Sequence, residues 1–356
     1  NVLGRLTETI KAHHAEFVLV AGDLFDSPSV DRYCVSAACS AIGKMEVPVV
    51  VIPGNHDHGG PGSVWEQEYF RREAKELAPN LIVCLKPEPI EVANAVILPC
   101  PLLRRHEITD PTAWLRTLPD LCQHAGKVRI VLAHGSVQGF GAEASAEDGD
   151  GPGVPNLIDL PRLPETELDY IALGDWHGTK QVGAKAWYSG TPELDRFSKG
   201  GGHDQGKVLI VHAQRGDLPQ IEQVKTARFK WHAFDHAFNS DSDVSALESI
   251  LSNETGSRTG EDLLRVSLSG SLSIEGMTHL EALLETWRAR SLRLDLSNST
   301  SVVPSDAEII ALTQRASDPL ISKVAVRLVE VARGNTEEAS VAQVALRELH
   351  ALVLQH

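Results

Sequence analysis

Short apolar runs recur through the first half of the chain, and each is bounded by Gly, Pro or polar residues. Runs of this length and composition predict buried strands. Between them lie stretches with apolar residues at helical spacing, such as Leu3, Leu6 and Ile10, which predict helices. Strands that alternate with helices form βαβ units, so we expect an α/β fold with a partly parallel sheet. The clearest strands are predicted at residues 17–21, 47–52, 128–133 and 170–173.

Each of these four strands runs directly into polar residues. In α/β proteins, ligands bind beyond the carboxyl ends of the strands, so these residues are candidates for chemistry. Each motif alone has an ordinary explanation, because Gly-Asp suits a turn and a His after a strand is usually a hydrogen-bonded polar group. Their recurrence after four successive apolar strands favours a shared metal site. The motifs are Gly22-Asp23, Gly54-Asn55-His56-Asp57, His134-Gly135 and Gly174-Asp175-Trp176-His177.

The remaining segments give weaker predictions. Residues 30–44 read as a helix capped by Ser27 or Ser29, residues 63–77 as another helix, and residues 114–122 as helical. The acidic, Gly-rich run 139–153 reads as a surface loop beside His134. We expect a second sheet from residues 81–85, 89–92, 95–99, 186–189, 207–212 and 220–224. An α/β module should follow, with helices at 244–251 and 277–290 and strands at 263–268 and 292–296.

The order of the four motifs resembles that of the calcineurin-like metallophosphoesterases, from about residue 17 to residue 190. Within that superfamily, two segments are similar to the SbcD-type DNA-repair nucleases: Val-Ala-Gly-Asp-Leu-Phe-Asp at 20–26, and Tyr-Ser-Gly-Thr-Pro at 188–192 with Arg196-Phe197 soon after. The resemblance implies a two-sheet sandwich flanked by helices, a smaller α/β capping domain and a helical C-terminal tail. We place the nuclease domain at 1–228, the capping domain at 229–300 and the helical region at 301–356.

The chain departs from the family pattern in two places. The family opens with a strand that ends in Asp-x-His, whereas this sequence begins at Asn1 within a predicted helix. We therefore interpret the sequence as a fragment or a trimmed chain that lacks the first strand of its nuclease domain. The family usually has Gly-His-x-His where this chain has Gly174-Asp175-Trp176-His177. An Asp oxygen can also bind a metal, but it shifts the preference toward harder ions.

The resemblance also implies roles for the polar residues. Asp23 would bridge two divalent ions, with Asn55, His134 and Asp175 completing one metal site. His177 would belong to the other site, together with the absent Asp-x-His pair. The mixed oxygen and nitrogen ligands favour Mn²⁺, with Fe²⁺ and Zn²⁺ as alternatives.

The resemblance leaves His56 free of metal, facing the substrate as a catalytic proton or hydrogen-bond donor, with Asp57 orienting its ring. The leading hypothesis is a metal-dependent DNA exonuclease or endonuclease subunit of SbcD type that acts in repair. One alternative is a phosphodiesterase or phosphatase of the same superfamily that acts on a nucleotide or another small molecule. A second alternative is a non-catalytic scaffold with a decayed metal site, which the absent opening motif and Asp175 favour.

Composition limits the class of protein. The 42% hydrophobic and 5% aromatic residues suit an α/β protein with a core of Val, Leu, Ala and Ile. The five Cys form no Cys-x-x-Cys pair, so we predict neither a zinc ribbon nor a disulfide framework. We therefore expect the protein to reside in the reducing cytoplasm. No apolar stretch reaches the length of a membrane span and no signal-like segment appears, so we expect no membrane partner.

The formal charge of −15 argues against a chain that grips DNA tightly by itself. Bound cations or a partner subunit can supply the missing positive charge. Basic clusters also occur at Arg104-Arg105-His106, at Lys225 with Arg228 and Lys230, and at Arg288, Arg290 and Arg293, although each can be an ordinary solvated face.

The predicted C-terminal helix carries an apolar stripe that is a candidate surface for a partner. Its apolar stripe either packs on the capping domain or docks a coiled-coil ATPase of SbcC type, as the resemblance implies. No P-loop is present, so any ATP dependence must come from another chain. The resemblance further implies a homodimer. The stripe consists of Val341, Val344, Ala345, Leu349, Leu352 and Val353.

The absent Asp-x-His pair leads to a prediction about metal content. Because one of the two metal sites would lack ligands, we expect this chain by itself to bind fewer than two ions tightly and to show weak or no nuclease activity. Metal analysis after dialysis checks the stoichiometry. Two tightly bound ions per molecule would contradict the expectation.

Overall fold

The computed structural model describes residues 2–117, 126–137, 155–197, 204–256, 260–315, 317–334 and 336–354. The predicted loop 139–153 and the second half of the predicted helix 114–122 lie outside these residues. The chain forms two compact units. The first contains residues 1–195 and 200–228, and the second contains residues 196–199 and 229–356.

The first unit begins with a three-stranded parallel sheet that carries two of the polar motifs. Its strands are β1 (Val18–Ala21), β2 (Val49–Ile52) and β3 (Leu81–Val83), in that order. The helices of this part are α1 (Val2–His13), α2 (Arg32–Gly43) and α3 (Glu68–Leu77). The βαβ prediction for residues 17–52 is therefore confirmed. Single helical turns lie at Val64–Glu66, Ala113–Thr117, Leu160–Arg162 and Glu165–Glu167.

A six-stranded sheet carries the other two motifs, and its strands run in the order β10-β11-β9-β6-β5-β4. All seven residues of β6 are buried, as expected for an inner strand whose two faces are both covered. The strands are β4 (Ile90–Val92), β5 (Ala95–Cys100), β6 (Val128–His134), β9 (Tyr170–Gly174), β10 (Lys180–Gln181) and β11 (Ala186–Tyr188). Two smaller pairs are β7 (Ser136–Val137) with β8 (Leu157–Ile158), and β12 (Lys207–His212) with β13 (Gln220–Lys225).

The predicted partition of the strands between sheets was wrong in two respects. Strand β3, expected in the second sheet, pairs with β2 in the first. Strands β12 and β13, expected in the same second sheet, pair with each other as a separate antiparallel pair. An apolar run predicts that a strand is buried but does not indicate which strand it pairs with. The hydrophobic pattern therefore could not predict the sheet to which each strand belongs.

The cap of α2 also differs from the prediction. Asp31, rather than Ser27 or Ser29, is the N-cap, and its Oδ1 accepts a hydrogen bond of 2.8 Å from the backbone N–H of Cys34. Ser27 instead accepts a bond from the backbone N–H of Ser29 in the preceding turn. The helix therefore starts two residues later than predicted, and the carboxylate of Asp31 both accepts a first-turn N–H and interacts favourably with the positive end of the helix dipole.

Residues of the three-stranded and the six-stranded sheet share one buried cluster. Val50 and Ile52 of β2 pack in the same cluster as Ile97 of β5, Leu132 of β6 and Tyr170 of β9. All five side chains are less than 5% exposed. Burial of this apolar surface fixes the strands that carry the polar motifs, since each buried aliphatic side chain stabilises the fold by roughly 1.5–3 kcal/mol.

The second unit contains a parallel sheet in which β15 lies between β14 and β16 and also pairs with β17. Helices α4 and α5 supply the apolar side chains packed against this sheet. The strands are β14 (Lys230–Phe238), β15 (Asp262–Leu272), β16 (Arg293–Asn298) and β17 (Ser301–Val302), and the helices are α4 (Ser242–Thr255) and α5 (Ile274–Arg290).

Strand β14 is the main element that sequence reasoning missed. Its core-facing positions alternate between aromatic and histidine side chains, so the apolar period of two is hidden. Phe234 and Phe238 pack in the core of the unit. The two histidines are satisfied by hydrogen bonds: His232 Nε2 lies 3.0 Å from Asp262 Oδ1, and His236 Nε2 lies 3.1 Å from the carbonyl oxygen of Asp243.

Three helices complete the second unit, as the helical prediction for its C-terminal part requires: α6 (Asp306–Thr313), α7 (Pro319–Ala332) and α8 (Glu337–Leu354). The predicted apolar stripe of α8 is split. Val341, Val344 and Leu352 are 64%, 51% and 57% exposed, whereas Leu349 and Val353 pack against a core that contains Leu346. Among the helices in the described part of the chain, none has the length and apolar character needed to cross a membrane.

The buried cluster between the sheets predicts a strong contrast between two leucines. Leu132 is fully buried, whereas Leu218 is 65% exposed. We expect Leu132→Ala to lower the free energy of unfolding by roughly 2–5 kcal/mol, because it leaves a cavity in the core. The matched control Leu218→Ala should change it by less than about 0.5 kcal/mol. Urea unfolding followed by tryptophan fluorescence measures both, and similar values for the two variants would contradict the packing described.

Candidate metal centre

His134 is the central side chain of the site. It is the last residue of β6 and only 1% exposed. Its Nδ1 lies 2.7 Å from the carbonyl oxygen of Ala21, at the end of β1. A carbonyl oxygen only accepts, so Nδ1 carries the proton and, in the neutral ring, Nε2 carries the lone pair. The hydrogen bond therefore joins the two large sheets and also sets the direction of the metal-competent nitrogen.

Three oxygen atoms surround Nε2 of His134. Asn55 Oδ1 lies at 2.9 Å, Asp23 Oδ2 at 3.4 Å and Asp175 Oδ1 at 3.8 Å. Each comes from a different strand end, so the structure brings together four of the predicted ligands. Amide, carboxylate and imidazole donors in one cluster suit a divalent cation of the Mn²⁺, Fe²⁺ or Zn²⁺ type.

The loops that carry these donors approach each other too closely for ordinary side chains. A Cβ on Gly54 would overlap the Asp23 carboxylate, and a Cβ on Gly174 would overlap the carbonyl oxygen of Ala21. Glycine is therefore required at both positions by steric contact. Asp23 and Asp175 adopt φ values of +53° and +100°, which side-chain-bearing residues rarely do. The backbone at both carboxylates is strained, as is common where function fixes geometry.

Asp57 ties two of the loops together. Its fully buried carboxylate accepts backbone N–H bonds from Gly54 at 2.7 Å and Asp23 at 3.3 Å through Oδ1, and from Phe25 at 3.2 Å through Oδ2. Burial raises the pKa of this carboxyl to about 6, against the opposing effect of the amides. Asp57 thus fixes the backbone on which Asp23 and Asn55 stand.

This arrangement differs from the expectation that Asp57 orients the ring of His56. Both Asp57 oxygens contact backbone amides, whereas Nδ1 of His56 lies 3.2 Å from the carbonyl oxygen and 3.4 Å from a carboxylate oxygen of Asp26. The backbone N–H of His56 donates to Asp23 Oδ1 at 2.9 Å. The imidazole, which is 34% exposed, can therefore be reached by a substrate while its main chain is tied to the donor cluster.

His177 is held by a carboxylate that sequence reasoning missed. Its Nδ1 is paired with Asp195, whose other oxygen accepts a 2.8 Å hydrogen bond from the Gln205 side chain. A carboxylate on one ring nitrogen orients the other, as in many metal-binding histidines. Asp195 lies 18 residues from His177 in the sequence, so no local motif connects the two.

Ser136 is the second residue that sequence reasoning missed. Its hydroxyl donates a 2.7 Å hydrogen bond to Asp175 Oδ2, so the Asp175 carboxylate is oriented from the strand that follows His134. Ser136 lies only two residues after His134, but nothing in the sequence indicated that it would form strand β7 and contact Asp175. The Asp that replaces the usual His is therefore held in position by a hydroxyl of this chain.

The donor set fits a cation in chemistry and direction. A neutral His134 would direct the Nε2 lone pair toward oxygen lone pairs, an unfavourable contact that a cation among them would relieve. Across the described ranges, however, no three His, Cys, Asp or Glu side chains are spaced as ligands of one ion. Four donors are reached only when the Asn55 amide is counted, so the ligand roles of Asp23, Asn55, His134, Asp175 and His177 stay predictions.

An α/β unit with such donors beyond its strand ends is typical of metal-dependent phosphoesterases. The family model for calcineurin-like phosphoesterases matches residues 1–179, half of the chain. The chain therefore belongs to the calcineurin-like phosphoesterase family. Membership assigns it to a class of hydrolases that act on phosphoesters and that generally bind two divalent metal ions.

Ser136→Ala tests whether the bond to Asp175 supports metal binding. Loss of a hydrogen bond that orients a ligand typically lowers metal affinity by about 10–100-fold. We expect a decrease in this range for Mn²⁺, measured by isothermal titration calorimetry. Ser249→Ala is the control, because it removes a 2.9 Å hydroxyl hydrogen bond within α4 of the second unit. Equal Mn²⁺ affinity in the two variants would show that Ser136 does not support the metal.

Proposed function

We propose that the chain is the nuclease subunit of an SbcD-type enzyme, which hydrolyses phosphodiester bonds of DNA with two divalent cations, for which we propose Mn²⁺. The observation that carries the proposal is the meeting of Asp23, Asn55 and Asp175 around Nε2 of His134. The catalytic class follows from family membership, and the DNA substrate is our extension of it.

In this proposal the predicted ligands of the chain are shared between two cation sites. Asp23, Asn55, His134 and Asp175 would hold one cation, and His177 would contribute to the second, with Asp23 shared. Cations held by these residues would supply positive charge for the phosphoryl oxygens and activation of water as the nucleophile.

His56 takes the proton-handling role. Its ring is partly exposed next to Asp26, and its backbone N–H donates to Asp23 of the donor cluster. The imidazole would donate a hydrogen bond or a proton toward the phosphate or the leaving oxygen. Asp57 and Ser136 act indirectly, because they position the loops and the Asp175 carboxylate.

The segment that resembles SbcD-type nucleases, residues 188–192, supports the site in structural terms. The Tyr188 hydroxyl donates a 2.7 Å hydrogen bond to the carbonyl oxygen of Gly135, next to His134. The Thr191 N–H donates a 2.9 Å bond to the carbonyl oxygen of His177. The motif therefore contacts the loops of both predicted histidine ligands, which explains why it would accompany this form of the site.

The second unit and partner chains complete the proposal. We assign the α/β part of the second unit to capping and DNA contact. Val341, Val344 and Leu352, exposed on α8, are candidate contacts for a coiled-coil ATPase subunit. A homodimer formed through the nuclease domains is proposed from the same resemblance.

Substitution of His56 with Asn tests the proposal in the full-length protein. Because loss of a positioned acid or base costs about 10²–10⁴-fold, we expect turnover to fall by that factor while Mn²⁺ binding is retained. His212→Asn is the control, since His212 is exposed on β12. Activity should be measured on linear duplex DNA and on bis-p-nitrophenyl phosphate.

The two substrates separate the alternatives. Mn²⁺-dependent degradation of DNA supports the nuclease, whereas turnover of the small diester alone favours a small-molecule phosphodiesterase. Unchanged turnover in His56→Asn would refute the role of His56. Failure of the full-length protein to bind metal would favour the non-catalytic scaffold.

A further inference from the structure

The segment Leu102–Glu107 follows β5 and carries two adjacent arginines, Arg104 and Arg105, whose side chains are exposed. The chain has a formal charge of −15, and this pair forms a local positive patch on it. Within the described residues, no ion pair neutralises either guanidinium. We call residues 102–107 the basic segment.

The basic segment is attached to the loop that carries Asn55 and His56. The backbone N–H of Leu102 donates to the carbonyl oxygen of Pro53 at 3.2 Å, and the N–H of Gly59 donates to the carbonyl oxygen of Leu102 at 2.8 Å. The start of the segment therefore lies directly beside this loop, which contains the candidate catalytic histidine.

Asn156 attaches the other end of the basic segment to the strand that follows His134. Its side-chain amide donates to the carbonyl oxygen of Arg105 at 3.0 Å, and its Oδ1 accepts from the N–H of Glu107 at 2.7 Å. The carbonyl oxygen of Asn156 accepts from the N–H of Ser136 at 3.2 Å. Asn156 is 4% exposed and has a φ of +57°, so it is a rigid buried link.

The two attachments hold the arginines between the loops of the candidate site. Two arginines of another basic cluster are already engaged: Arg293 is paired with Asp295 at 2.9 Å, and Arg290 lies over the ring of Trp287. Guanidinium groups bind phosphate oxygens with several donors, and their weak hydration suits them to phosphate recognition.

A small phosphoester presents its phosphate to the donor cluster alone, whereas a polynucleotide also brings phosphates on either side of the scissile one. Those phosphates must approach a surface that carries Asp23, Asp26, Asp175 and Asp195, so positive side chains beside the site would favour their approach. We infer that Arg104 and Arg105 bind backbone phosphates that flank the scissile bond of a DNA strand. The inference rests on the proposed nuclease function and specifies how that site selects a polymer.

The test is the salt dependence of binding to a labelled short phosphorothioate duplex, measured by fluorescence anisotropy in Mn²⁺ with the full-length protein. The slope of log K against log salt is negative, and each lost phosphate contact reduces its magnitude by about one. Arg104→Gln with Arg105→Gln should therefore reduce the magnitude by about two. At about 0.1 M salt, affinity should fall on the order of tenfold or more.

Arg71 and Arg72 provide a control of equal charge, because they are also adjacent and exposed, but on α3, where Arg72 is paired with Glu73 at 3.5 Å and lies over the ring of Tyr69. Arg71→Gln with Arg72→Gln removes the same charge and should leave the slope and affinity near those of the wild type. Arg104→Lys with Arg105→Lys keeps the charge and should recover most of the slope, which a folding defect would not allow. Circular dichroism verifies that the variants are folded.

Each result of the salt-dependence experiment either supports or overturns the proposed contacts between the arginines and phosphates. Equal slopes for the Arg104/Arg105 and Arg71/Arg72 glutamine variants would overturn it, as would a wild type that binds no duplex. Degradation of an unmodified linear duplex by the wild type in Mn²⁺ is measured in parallel. Absence of that degradation refutes the proposed function, while the binding data still decide whether the arginines contact phosphates.

Discussion

The hydrogen bond from His134 to the carbonyl oxygen of Ala21 is the interaction on which the candidate site depends. It spans two sheets, since Ala21 ends β1 and His134 ends β6. It also fixes the proton on Nδ1, which leaves Nε2 to face the oxygens of Asn55, Asp23 and Asp175. Were the sheets to shift apart, the ring would lose both its direction and its proton arrangement, so packing of the core and chemistry of the site are coupled.

Asp57 shows that a site motif can be structural in part. Its neighbour Asn55 presents its side chain to His134, and His56 donates its backbone N–H to Asp23, whereas the carboxylate of Asp57 is buried against backbone amides. A buried carboxyl with a pKa raised by burial is costly unless its oxygens are hydrogen-bonded. The three amides offset that cost and hold Asp23 at a positive φ, so the strain at the candidate bridging ligand is supported from the adjacent loop.

Sequence reasoning placed the four strand ends correctly because long apolar runs and Gly-Asp or Gly-Asn turns are local signals. It could not assign strand partners, as β3 shows, because burial does not specify a neighbour. It missed β14, where His232 and His236 occupy core-facing positions and are satisfied by hydrogen bonds formed only in the fold. Ser136 and Asp195 escaped for the same reason: each acts through a contact with a residue that no motif pairs with it.

Electrostatics reconciles the acidic chain with the polyanionic substrate that we propose. Net charge governs solubility and long-range steering, but a phosphate at the surface responds to the groups within a Debye length of it. The carboxylates of the site are repulsive to phosphate until cations occupy it, and cations then make the same residues the most attractive point on the unit. We propose that charges beside that point select a polymer over a small ester. Asn156 and the Pro53 and Gly59 backbone hold the main chain of the segment that carries Arg104 and Arg105 beside the site, as the proposed contact requires.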